Sequence, residues 1–284
     1  MRRALPVLLL VLAASCAHQL RPCECRLAVP EARLAPHKLD DRAEMKRYLA
    51  EFPADQYQAI QVPETGVVYL DDIRDSIKDQ LRTGEPWEEK IALLMAKHVR
   101  PGSTVIDVGA HIGTHTLRLA RLVGEHGRVY AFEPQKKIFR ELTVNIAANH
   151  LCNVVPLRYA VGDQEGLITM NPATPGNEGG TAIGAGGDQA ELRTLDSFGF
   201  RDVSLIKIDV EDFEDEVLAG ARQTITAQHP FLIVEIQAPY DYNTADDAEK
   251  AKIDATKKRI EDMGYQVRSS GEAPWDYYAV PTGR

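Results

Sequence analysis

From residue 104 onward the chain alternates short, almost wholly apolar segments with amphipathic ones. Residues 104–108, 128–132, 154–159, 205–208 and 231–236 read as strands. Residues 113–122, 136–149, 215–225 and 245–263 read as helices, and 265–268 and 277–280 as closing strands. A strand that is apolar at nearly every position needs cover on both faces. A helix between successive strands lets them pair in parallel. The pattern therefore predicts an α/β fold, a doubly wound sheet with helices on both faces. In such folds ligands bind beyond the carboxyl ends of the strands. One stretch breaks the rhythm: residues 171–187 hold six glycines, two prolines and few large apolar side chains. That composition cannot pack a core and predicts a long surface loop. Its flanks, 167–170 and 191–195, read as strands, which makes the loop the tip of a hairpin.

Ahead of this region, residues 1–17 read as a signal peptide. Met1-Arg2-Arg3 is basic, residues 5–14 are apolar but for Pro6, and Ala13-Ala14-Ser15-Cys16-Ala17 is a small-residue cleavage region. The run is shorter than the ~20 apolar residues that span a bilayer, so no transmembrane span is expected. Cleavage before Cys16 would leave a lipid-anchored protein; cleavage after Ala14 or Ala17 would leave a soluble one. Without the signal the protein would stay in the cytoplasm. Residues 18–37 read as a linker and 38–85 as a small helical N-terminal extension, with Met45, Tyr48, Leu49 and Phe52 at helical spacing and, within 66–82, a short strand (Val67 to Leu70) and a turn of helix. A helix with Ile91, Leu94 and Met95 on one face opens the catalytic domain, 86–284. Four cysteines, Cys16, Cys23, Cys25 and Cys152, are too few for a disulfide framework. Cys152 reads as a core residue, and no His/Cys spacing supports a zinc site. With a net charge of −9 and no long Lys/Arg run, the chain lacks the basic stripe of a nucleic-acid binder, so no nucleic acid is expected as partner.

The chemistry concentrates at strand ends. Val105-Ile106-Asp107-Val108-Gly109-Ala110-His111-Ile112-Gly113 turns the first strand into a helix. Gly109 would allow close backbone approach to a ligand, and Gly113 tight packing at the helix start. The spacing differs from the dinucleotide fingerprint, because Ala110-His111 stands where that fingerprint has its second glycine. A pyrophosphate needs that glycine; S-adenosyl-L-methionine carries no phosphate and fits the pattern better. Glu133 ends the next strand, roughly 20 residues after Gly113, where an acid is placed to hydrogen-bond ribose hydroxyls. Asp209 and Glu211 follow the strand 205–208, and Glu235 lies at the end of the strand 231–236. Three carboxylates on one rim can raise one another's pKa and create a general base, or hold a divalent cation through oxygen. His111 or His115 could also serve as a base near neutral pH.

Taken in order, these residues resemble the FkbM-type methyltransferase family. The resemblance rests on the glycine turn, Phe132-Glu133-Pro134, Asn145 with Asn149, Ala160-Val161-Gly162-Asp163 with Gly166, and Thr194-Leu195-Asp196. It continues through Ile206-Lys207-Ile208-Asp209-Val210-Glu211, Val217-Leu218-Ala219-Gly220-Ala221 and Glu235-Ile236. The resemblance implies a Rossmann-like class I methyltransferase fold over 86–284. It also implies S-adenosyl-L-methionine as donor and a small-molecule or glycan hydroxyl as acceptor. On this reading Asp107, Gly109, Ala110, His111, Gly113 and Glu133 hold the cofactor, with Asp163 near the adenine. Asp209, Glu211 and Glu235 serve the acceptor, and the loop 171–187 covers it. Two positions depart from the family: His111 stands in place of a common Asn, and Asp212 where a Gly usually follows the acidic pair. A nicotinamide-dependent oxidoreductase and a non-catalytic secreted module are the competing classes; cofactor affinity separates them.

Overall fold

The computed structural model describes residues 41–174, 176–236, 242 and 244–283. The expected signal peptide and linker, with Cys16, Cys23 and Cys25, lie outside these residues. The sheet has seven strands: β3 (Thr104–Val108), β4 (Arg128–Phe132), β5 (Val154–Leu157), β9 (Val203–Ile208), β10 (Phe231–Glu235), β11 (Tyr265–Ser269) and β12 (Asp276–Pro281). Their order is β11-β12-β10-β9-β3-β4-β5. The five strands from β10 to β5 are parallel, whereas β12 is antiparallel to both β10 and β11. The strand order reverses between β3 and β9, and there the carboxyl ends open a crevice.

Both faces of the sheet are apolar because alternate residues of one strand feed two different cores. Val105, Leu205 and Ile233 pack with α3 (Glu89–His98), α4 (Thr114–Val123) and α5 (Lys136–Ala148). Ile106, Ile206 and Leu232 pack on the other face with α6 (Glu214–Gly220), α7 (Arg222–Gln228) and α8 (Asp247–Glu261). The expected helix 215–225 is thus two helices, broken at Ala221, and the expected strand 154–159 divides into β5 and β6 (Tyr159–Val161). β6, β7 (Gly166–Thr169) and β8 (Gln189–Arg193) form a small separate sheet. β7 and β8 pair antiparallel, so residues 171–187 are indeed the connection across a hairpin.

The N-terminal extension has the short strand and helical turn expected within 66–82, and a further strand that pairs with the first. Between α1 (Asp41–Ala50) and α2 (Ser76–Arg82) lies an antiparallel hairpin of β1 (Gln58–Val62) and β2 (Gly66–Leu70). Asn145 of α5 and Asn149, which caps its C-terminus, fasten it. Asn145 Oδ1 accepts from the Tyr69 N–H at 2.8 Å, while its Nδ2 donates to the Ile112 carbonyl at 2.8 Å. Asn149 exchanges bonds with Val67, accepting at 3.0 Å and donating at 2.7 Å. Asn145 thus joins the extension to the glycine turn itself. Tyr48 of α1 meets Phe139 edge-on. A buried ion cluster completes the seam: the ammonium of the fully buried Lys78 lies 2.7 Å from Asp71, 3.3 Å from Glu141 and 2.6 Å from Glu178. Lys137 bonds the same three acids. Cys152 is not the core cysteine expected; it is partly exposed.

Candidate active site

A cleft of about 1420 Å³ opens at the carboxyl ends of β3, β4, β9 and β10. Single ligand pockets run to roughly 1,000 Å³, so this one has room for a cofactor and an acceptor together. Gly109, His111, Glu133, Asp209, Glu211 and Glu235 all line it. Asp107, Ala110, Gly113 and Asp163 do not. Each of these four has a position that explains why.

Gly109 has φ +80, and a Cβ there would sit 1.7 Å from the Asp209 carbonyl oxygen. The close approach that demands glycine is therefore to the backbone of the neighbouring strand, not to a ligand as the sequence suggested. The N–H groups of Gly109 and Ala110 both donate to the Phe132 carbonyl, at 3.0 and 2.9 Å, so these two donors are engaged within the fold. Gly113 packs as expected: a Cβ would meet Leu142 Cδ1 at 2.8 Å. Asp107 is fully buried behind the turn. Its Oδ2 accepts from Thr116 Oγ1 at 2.5 Å, its Oδ1 has no partner, and burial raises its pKa. Asp163 is exposed, and the cleft wall at that point is Tyr159, Ala160 and Val161.

Glu133 anchors the opposite side of the turn. Its carboxylate accepts from the His111 N–H at 3.0 Å and the Gln135 N–H at 2.9 Å. Burial nevertheless pushes its pKa up to about 7, against the pull of those two donors. His111 adopts φ +50, a left-handed conformation that Asn also tolerates, which accounts for the exchange of these residue types here. Both ring nitrogens are buried without partners. Burial, then the Lys78 charge, lowers its pKa to about 4, so it is neutral but a weak base at neutral pH, contrary to the role considered for it. The hairpin connection packs over this ring: a Cβ on Gly179 would lie 3.1 Å from His111 Nε2. Glu178, one residue earlier, is held in the Lys78–Lys137 cluster, which pins the covering loop to α2 and α5.

The other wall is acidic. Asp107 of β3 is in register with Lys207 of β9, and Lys207 with Ile233 of β10. The Lys207 ammonium lies 2.8 Å from Asp209 Oδ2. Burial alone would depress it, but Asp209, Asp107 and Glu88 outweigh burial and hold it above the ordinary lysine range. Beyond Ile233 comes Glu235, paired across the antiparallel ladder with Asp276 of β12. Burial, followed by the charges of Asp209 and Asp276, raises Glu235 well above the carboxylate range. Burial, then Glu88 and Asp209, brings Asp276 up to about 7. Glu88 reaches in from the start of α3 and bonds His115 Nε2 at 2.7 Å, so His115 is a buried partner of Glu88. Glu211 and Asp212 have φ +52 and +79. The turn after β9 thus keeps a glycine-like shape even though Asp stands at the second position. Sequence reasoning missed Lys207, Glu88 and Asp276. A lone cation inside the apolar run Leu205-Ile206-Lys207-Ile208 was a visible signal for the first; nothing in sequence order pairs the other two.

Residues 107–267 match the methyltransferase FkbM domain family. Part of the chain is 29% identical over 84 residues to a fibrillarin-like rRNA/tRNA 2′-O-methyltransferase of Pyrobaculum aerophilum, covering 28% of this chain and 36% of that protein. It is 36% identical over 91 residues to the rRNA 2′-O-methyltransferase fibrillarin of Tetrahymena thermophila, covering 30% and 29%. The chain thus spans about a third of the length of these relatives. Among solved structures, a methyltransferase FkbM from Methylobacillus flagellatus is 18% identical, with 66% of this chain and 50% of that chain covered and a TM-score of 0.39. The Aeropyrum pernix fibrillarin complex with S-adenosyl-L-methionine is 14% identical, covering 79% and 94%, with a TM-score of 0.44. The family match spans more than half of the chain and runs from the glycine turn through β11, so the protein belongs to the FkbM methyltransferase family, which uses S-adenosyl-L-methionine.

Proposed function

We propose that the protein transfers a methyl group from S-adenosyl-L-methionine to a hydroxyl of a small molecule or sugar. The observation that carries this reading is the charge of the cleft. Among the described residues, its lining holds ten carboxylates (Glu85, Glu88, Glu89, Glu133, Asp209, Glu211, Asp212, Glu235, Glu249 and Glu272) against one lysine, Lys252. A neutral hydroxyl acceptor enters such a cleft without repulsion, whereas a phosphate backbone is bound through Lys and Arg. The relatives named for rRNA and tRNA 2′-O-methylation favour an RNA ribose as a second reading, but the matched segments are under a third of this chain.

The residues present fit the cofactor: Glu133 offers its remaining lone pairs to two ribose hydroxyls, and His111 lines the same space. When bound, the cofactor supplies a methyl group activated by its sulfonium charge. Asp209, fixed by Lys207 at the end of a rigid strand, orients the acceptor hydroxyl and takes its proton as attack proceeds. Glu211 and Glu235 line the approach of the acceptor. The connection 171–187 covers the cleft and excludes water. Asp209→Asn tests the assignment: turnover should fall about 10²–10⁴-fold with unchanged cofactor affinity. Near-full activity on an identified acceptor would reduce Asp209 to a partner of Lys207.

We also propose export, with a mature chain beginning between Ser15 and His18. It is supported by the basic start and apolar run of residues 1–14 and the small residues that follow. Amino-terminal sequencing of the native protein checks it; an intact Met1 in the cytoplasm would overturn it. Among the described residues no helix is long and apolar enough to cross a membrane.

A further inference from the structure

We propose that Glu88, Glu235 and Asp276 form a binding site for a hard divalent cation of the Ca²⁺ or Mn²⁺ type in the acidic wall of the cleft. Glu235 and Asp276 stand directly opposite each other on adjacent antiparallel strands. Like charges in that relation destabilise a sheet unless something neutralises them. Glu88 descends on the pair from the start of α3. One oxygen from each of the three acids lies within 4.8 Å of the other two. An ion at the centre of three oxygens so spaced lies at most about 2.8 Å from each, close to the roughly 2.3–2.6 Å of calcium–oxygen contacts, so one ion can reach all three.

A second observation points to the missing partner. Asp276 is only 3% exposed, yet its Oδ2 has no hydrogen-bond donor. A buried carboxylate oxygen left bare is costly, and water or protein normally satisfies it. The molecule itself provides the contrast. A second three-acid cluster among the described residues, Asp71, Glu141 and Glu178, is filled by the ammonium groups of Lys78 and Lys137. No lysine or arginine among the described residues forms an ion pair with Glu235 or Asp276. Lys207, the nearest cation by its electrostatic influence on both, spends its hydrogen bond on Asp209. The donor set is all oxygen, which selects a hard ion over zinc or copper. A cation there would sit beside the proposed acceptor position and polarise an acceptor oxygen.

The two tryptophans of the chain supply the probe. Trp87 precedes Glu88 and Trp275 precedes Asp276, so a lanthanide in this cluster would be excited through both. Titration of the full chain with Tb³⁺ should give saturable tryptophan-sensitised luminescence that Ca²⁺ competes away. Asp276→Asn and Glu235→Gln should each weaken Tb³⁺ at least about tenfold, with melting temperatures in the absence of metal no lower than wild type. Absence of sensitised emission at millimolar Tb³⁺ overturns the proposal. Equal affinity in both variants also overturns it, because the ion then sits on other cleft carboxylates. If the variants fail to fold, the melting temperature of the wild-type protein decides: a rise with Ca²⁺ supports the site, and no rise rejects it. Binding is read without turnover, so its failure leaves the methyl-transfer reading untouched.

Discussion

Replacing Glu133 by Gln isolates the cofactor end of the cleft. The wild-type carboxylate accepts two backbone N–H groups, from His111 and Gln135, and faces the cleft with lone pairs to spare. Gln keeps the shape but offers one acceptor oxygen, so at least one charged hydrogen bond to a ribose hydroxyl is lost. Such a bond is worth about 1.5–3 kcal/mol, which translates to a roughly 10- to 150-fold weaker dissociation constant. The amide NH₂ also faces a backbone donor that it cannot satisfy, costing about 1–3 kcal/mol of stability. Alanine would free both N–H groups at once, and for that reason Gln is the cleaner test. A pH signature separates loss of recognition from general damage. Burial sets the Glu133 pKa at about 7, so wild-type affinity should fall as pH drops through that value and the carboxylate protonates. The Gln variant should show no such slope. Calorimetric titration of S-adenosyl-L-methionine at pH 6, 7 and 8, with a thermal melt as folding control, reads both. Equal affinity and an equal slope in the two proteins would refute the assignment.

Lys78→Met should destabilise the fold by about 3–5 kcal/mol, because it leaves Asp71, Glu141 and Glu178 buried around Lys137 alone; an unchanged urea midpoint would refute the ion cluster. Asp212→Gly should raise stability by up to about 1 kcal/mol, since φ +79 costs a non-glycine residue roughly that much and the lost surface pair with Lys252 is worth less; a lower melting temperature would count against the strained turn. Glu235→Gln should gain on the wild type as pH rises. The folded-state pKa of Glu235 lies above its ordinary 4.5, so the stability it contributes is complete below that value and is lost progressively above it. Gln carries no such dependence. Thermal melts in metal-free buffer at pH 5 and pH 8 test this; a constant difference would show that Glu235 does not hold its proton.

Strands β3 and β4 were legible to the residue, because a strand covered on both faces writes itself as an uninterrupted apolar run. Glu133 and Asp209 were legible for the same reason: each is an acid at or just past the end of such a run. The hairpin β1–β2 was not foreseen as a pair, since Gln58-Ala59-Ile60-Gln61-Val62 is short and half polar. Asn145 and Asn149 stood out by resemblance alone, and only the tertiary contact with β2 shows what they hold. Asp276 and Glu88 were invisible because register and helix entry, not sequence order, bring them to Glu235. Lys78 was invisible too: a lysine on a seven-residue helix reads as solvated, and three acids from separate elements are needed to bury it. Gly109 was placed correctly, but its reason lies in the neighbouring backbone of Asp209.

The central claim is that an acidic cleft directs methyl transfer to an uncharged hydroxyl. Methyl-labelled S-adenosyl-L-methionine, offered to the protein with a panel of neutral sugars and polyhydroxyl compounds alongside structured RNA, tests it in one assay. Label is expected on a neutral hydroxyl acceptor and none on the RNA. Label carried to RNA, or to no acceptor by a protein that fails to bind the cofactor, would contradict it.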